Sequence, residues 1–151
     1  DQEAAALALT AFVVGNTVLQ FPIGWCADHV NKRAVMAVCA VTAGAASFLV
    51  PFVFGSWMLW PVLTIMGATA AGIYTVALAE LGERFEGHEL VTGTASFSTM
   101  WGFGALAGSL TAGWSIAAFG PDGLPFSMAA VFLVFILSLA AGRGAVRYKP
   151  A

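Results

Sequence analysis

Long apolar runs and short polar breaks alternate along this chain. Five runs can be drawn, at roughly 4–24, 34–54, 58–79, 90–119 and 126–144. About 20 residues of α-helix cross the hydrocarbon of a bilayer, and the first three runs have that length. The fourth is longer and polar at its start, so its first turns are expected near the headgroups or tilted. The fifth is densest in Phe, Leu, Val and Ile from Phe126 to Ala141 and continues to Gly144. Strands fit poorly, because lipid tolerates no open sheet edge and the ten-residue alternation of a membrane barrel is absent. Pro22, Pro51, Pro61, Pro121 and Pro125 sit near run ends, where helices accept them. The pattern predicts an all-α integral membrane protein with five transmembrane helices and no internal repeat.

Composition sharpens that reading. Of the 151 residues, 60% are hydrophobic and 9% charged, and the mean hydropathy is +0.87. A soluble domain carries roughly 25% charged residues; this chain could not clothe a water-facing surface. The net charge of −2 matters less than where the charges sit. All six Lys and Arg fall in three segments: Lys32 and Arg33 after the first run, Arg84 after the third, and Arg143, Arg147 and Lys149 after the fifth. The breaks at 55–57 and 120–125 carry none. Five spans put the three basic segments on one side, and the positive-inside rule makes that side the cytoplasm. The amino end, with Asp1 and Glu3, is then expected outside and the carboxyl end inside. The chain begins without Met or a basic leader, so the first run is expected to be a span in part of a longer protein.

Trp25, Trp57, Trp60 and Trp114 lie near run ends, where amphipathic rings favour the membrane interface. Trp101 does not. It lies about 11 residues into the fourth run, roughly 16 Å deep at 1.5 Å per residue. Cys26 and Cys39 have neither redox nor zinc spacing and read as small apolar residues.

Between the first two runs the sequence reads GWCADHVNKRAVM, from Gly24 to Met36. It is expected to be a tight loop between two helices. Asp28 should follow a helix carboxyl end, where the helix dipole disfavours an anion. Lys32, Arg33 or the amino end of another helix could compensate it; an ordinary solvated loop is the plainer alternative. The segment resembles the G-x-L-A-D-R-x-G-R-R/K motif of the major facilitator superfamily through Gly24, Ala27, Asp28, Lys32 and Arg33. Cys26 stands for Leu, His29 for the first basic residue, and Asn31 for the second Gly. Asn tolerates the left-handed backbone such a Gly would adopt. These departures suit the looser second copy of the motif, which follows helix 8. The stretch from Gly72 to Trp114 and the turn FGPDGLP resemble helices 10 to 12 of bacterial exporters of that family, nearest the YcaD-like branch.

The resemblance implies that the five runs are helices 8 to 12 of a twelve-helix secondary transporter in a bacterial inner membrane, with helix 7 and the amino-terminal half elsewhere. It implies a small-molecule substrate handled by alternating access, and an Asp28 loop acting as a cytoplasmic gate. It also implies that helices 8, 10 and 11 face a central cavity while 9 and 12 lie outside.

Polar and small residues divide in the same way. Asn16 and Gln20 share a face of run one; Thr64 and Tyr74 lie on a stripe of run three; Ser98 and Trp101 lie on a stripe of run four. Runs two and five are poorer in such residues. Helix packing is the competing account of the stripes, above all for Gly67 and for the GxxxG pair Gly104 and Gly108. No Asp, Glu, Lys, Arg or His lies in the middle of any run, so the carboxylate of a proton relay is not visible in this segment. The apolar, aromatic wall favours an uncharged or amphipathic solute. No catalytic set, metal site, cofactor or nucleic-acid partner is expected. A structural subunit of a membrane complex, and more remotely an intramembrane enzyme, are the alternatives to a transporter.

Overall fold

The structure, a computed structural model, describes residues 2–142. Asp1, Arg143, Gly144, Arg147 and Lys149 lie outside the described residues, and with them the end of the fifth run. Six helices follow in order: α1 (Gln2–Val18), α2 (Gln20–His29), α3 (Lys32–Val53), α4 (Leu59–Arg84), α5 (Gly87–Phe119) and α6 (Gly123–Ala141). The described residues contain no strand. Helices α1 and α2 together make one span, so five helical segments are long and apolar enough to cross a membrane.

The first span is interrupted at Leu19, three residues before Pro22. Pro22 has no N–H for the Val18 carbonyl, and its ring crowds that carbonyl. The helices also run further than the apolar runs did. Helix α2 reaches His29, α4 reaches Arg84, and α5 starts at Gly87. Apolar residues mark the depth of hydrocarbon, whereas a helix continues through the headgroups until its backbone is capped or turned. Only Val30 and Asn31 separate α2 from α3, so most of GWCADHVNKRAVM is helical rather than loop.

Helix α4 is the hub. It packs on α1, α2, α3 and α5, while α6 bridges α3 and α5. Small residues set these approaches. A Cβ on Gly15 would lie 1.9 Å from the Thr64 carbonyl oxygen, and one on Gly67 would lie 2.1 Å from that of Phe12. The α1–α4 crossing is thus backbone against backbone, with a glycine on each side. Gly120 ends α5 at φ 75°, a conformation that favours glycine. Gly123 then lets α6 tuck against Ser115 of α5.

Candidate functional site

Two regions gather the chemistry-bearing residues. The first is the charged end of the bundle. Asn31 caps α3: its Oδ1 accepts from the Arg33 amide at 2.9 Å, and its carbonyl accepts from the Ala34 amide at 2.8 Å. Its φ is −56°, so it holds no left-handed position. Its side chain, rather than its backbone freedom, is what the turn uses. Ala27 is 2% exposed and packs with Met36 and Val76, joining α2, α3 and α4. Gly24 meets nothing within 4 Å of an added Cβ.

The cap fixes where the two cations go. Lys32 Nζ donates to Glu83 Oε1 at 2.7 Å, tying the start of α3 to the end of α4. Arg33 Nη2 donates to the Leu139 carbonyl near the end of α6. A cation at a helix carboxyl end answers both the dipole and an orphan carbonyl. Arg84 pairs with Glu80 within α4. Asp28 lies in the last turn of α2 rather than beyond it, exposed and without an ion pair or hydrogen bond among the described residues. No direct ion pair joins Asp28 to Lys32 or Arg33 among the described residues: the two cations bond to α4 and α6. Asp28 lines a cleft of about 750 Å³ of mixed charge, shared with Lys32, Arg33, Arg84, Glu80 and Glu83. The His29 ring lies 4.5 Å from that of Trp25, and its Nδ1 meets the Trp25 carbonyl at 2.8 Å.

The second region lies half-way along the spans. Tyr74 of α4 and Trp101 of α5 meet edge to face with ring centroids 4.7 Å apart, and Phe97 lies 5.4 Å from Tyr74. These rings close the seam between α4 and α5. Trp101 is still 58% exposed, and α5 from Ser98 to Thr111 is exposed throughout. Hydroxyls elsewhere on α5 donate back to their own helix: Thr94 to Leu90, Ser96 to Thr92, Thr99 to Ala95, Ser109 to Ala105 and Thr111 to Ala107. Ser98, one turn from Trp101, has no such bond, and neither does the Tyr74 hydroxyl among the described residues. Gln20 Nε2 donates to Asn16 Oδ1 at 2.6 Å across the break between α1 and α2. Thr64 bonds the Trp60 carbonyl at 2.9 Å, and its backbone receives Gly15.

The sequence profile described as Major Facilitator Superfamily matches residues 1–149. The chain belongs to the major facilitator superfamily. Among curated relatives, the uncharacterised MFS-type transporter YfkF of Bacillus subtilis (strain 168) is 26% identical over 140 residues, which are 89% of this chain and 36% of that protein. An uncharacterised MFS-type transporter of Enterobacter sp. (strain 638) is 28% identical over 136 residues, 89% of this chain and 33% of that protein. The chain thus spans about a third of the length of these relatives. No solved structure matches it.

For a facilitator-superfamily chain, the structure sorts the marked residues clearly. Gly67 serves the α1–α4 crossing. Gly104 and Gly108 meet nothing within 4 Å of an added Cβ, so the packing expected of that pair is not made among the described residues. The reason is positional: both glycines are exposed, and no helix approaches them closely among the described residues. Gly15 was not singled out by sequence. Gly15 could have been found from the small residues at Ala8, Ala11 and Gly15 on one face. The Lys32–Glu83 pairing spans 51 positions and has no local signal.

Proposed function

We propose that this chain forms helices 8 to 12 of a secondary transporter that moves an uncharged or amphipathic small solute by alternating access, in the manner of exporters of the YcaD-like branch. Its amino end faces outward and its basic end faces the cytoplasm. The solute meets the mid-span wall around Tyr74, Ser98 and Trp101, with Asn16 and Gln20 on the first span contributing a second polar patch. Rocking of this bundle against the rest of the protein opens that wall to each side in turn.

The observation that carries this reading is the division of labour in the Asp28 motif. Lys32 and Arg33 are each bonded to another helix of the bundle, whereas Asp28, which lines the same cleft, has no ion pair or hydrogen bond among the described residues. An anion in the last turn of a helix is disfavoured by the dipole. A donor from the remainder of the transporter, such as the amino end of a helix, would relieve it in one access state only. A hydrogen bond to a charged group is worth about 1.5–3 kcal/mol, and about 1.4 kcal/mol shifts a two-state equilibrium tenfold. In the intact transporter, Asp28→Asn should lower transport and change the inside-to-outside labelling ratio of a cavity cysteine about tenfold. Asp28→Glu should restore part of both. Unchanged labelling together with normal transport would defeat the latch.

A further inference from the structure

Arg33 is bonded less fully than its position demands. A guanidinium carries five N–H donors. One of them reaches the Leu139 carbonyl. The Nε–H is shut off from solvent and has no acceptor among the described residues. An arginine at the edge of a bilayer, where water thins out, should not waste buried donors. Its charge is not used up by α6 either. The carboxyl end of a helix amounts to roughly half a negative charge, so positive charge remains on Arg33, which lies between this groove and the cleft it shares with Asp28, Glu80 and Glu83.

The surface next to this guanidinium has two characters. A groove of about 270 Å³ runs between α3 and α6. Arg33 and the Asn31 side chain stand at its polar end, and Ala34, Ala37, Ile136 and Ala140 line the rest. The Asn31 amide nitrogen has no acceptor among the described residues, since only its oxygen is occupied, by the Arg33 amide. Small residues on α3 make the groove, and its long walls carry no charge. Glu80 and Glu83 belong to the neighbouring cleft, not to this groove.

We infer that this α3–α6 groove binds an anionic phospholipid, with the phosphate on Arg33 and Asn31 and an acyl chain along Ala34, Ala37, Ile136 and Ala140. A free phosphate would use the donors but leave the apolar walls empty, whereas a lipid fills both. Basic pockets between helices at the membrane boundary hold anionic headgroups in this way. The inference does not depend on which solute is carried.

The experiment uses the intact transporter that contains this chain, delipidated in detergent. It is titrated with phosphatidylglycerol, with phosphatidylcholine of the same acyl chains, and with inorganic phosphate. Bound lipid is counted by native mass spectrometry and the thermal midpoint is followed in parallel. Phosphatidylglycerol should be retained and should raise the midpoint, phosphatidylcholine should be retained less, and inorganic phosphate should do neither. Removing one cation at a membrane surface weakens anionic-lipid binding about fivefold, so Arg33→Gln should bind phosphatidylglycerol about fivefold more weakly. The pair Ala37→Leu and Ala140→Phe fills the apolar groove without touching Arg33 or the cations that follow Gly142. It should weaken phosphatidylglycerol binding too, and it decides the matter if Arg33→Gln does not fold. Unchanged phosphatidylglycerol binding in the groove-filled protein would overturn the site. So would equal retention of the two lipids, or an equal effect of inorganic phosphate.

Discussion

Trp101 and Gly67 show how differently two mid-membrane residues can be used. Trp101 touches Tyr74 with one edge and leaves most of its surface uncovered. Gly67 is wholly committed, because the Phe12 carbonyl occupies the place of its side chain. Trp101→Ala should therefore impair transport in the intact protein while membrane abundance stays near normal. Leu133→Ala, on an exposed stretch of α6, should change neither, and this comparison of transport per molecule checks the cavity role. Gly67→Val should do the reverse. Forcing extra methyl groups into a packed contact costs about 1–3 kcal/mol, and here backbone is the obstacle. Lower abundance and a lower thermal midpoint are expected, with transport falling only in step.

Among the elements, the ends were harder to foresee than the existence. Hydrophobic runs of about 20 residues pointed to five long apolar helices, and the described residues contain five such helical segments, because lipid leaves a helix few alternatives. The ends depend on caps and turns that are local and chemical. Asn31 stops the gap after α2 at two residues through a side-chain cap, a role hidden by its resemblance to a motif glycine. Asp28 was legible as an oddly placed anion, but the destinations of Lys32 and Arg33 were not, since Glu83 and Leu139 are brought near only by the tertiary fold. The Lys32–Glu83 link is partly exposed, with the Glu83 side chain 65% accessible. Such a pair is worth under about 1 kcal/mol. Neutralising either residue should lower the thermal midpoint slightly, and exchanging the two charges should recover most of the loss. A double-mutant cycle on purified protein measures that coupling.

At the scale of the whole molecule, orientation makes the sharpest expectation. All Lys and Arg residues lie at one end of the spans in sequence, and the turn at Asp122 lies at the other. A cysteine at Asp122 should react with an impermeant reagent outside cells, and one at Arg84 should react only after permeabilisation. The reverse result would invert the orientation and with it the helix numbering.

The self-bonded hydroxyls of α5 have a consequence for what can be recognised. A serine or threonine that donates to its own helix keeps lone pairs but gives away its proton. Over most of its length, α5 can therefore accept hydrogen bonds from a solute but not donate them. Mid-span donors remain on the Ser98 hydroxyl and, one turn on, the Trp101 indole N–H, with the Tyr74 ring packed against Trp101. A carbonyl, ether or ring nitrogen would find partners there; the next such donor on α5, the Trp114 indole N–H, lies near the end of the helix. Ser98→Ala should then discriminate among solutes, weakening those whose acceptor meets this level and sparing purely apolar ones. Competition assays with a matched ether and hydrocarbon pair would read that selectivity directly, as a preference written by which protons the helix has left to give.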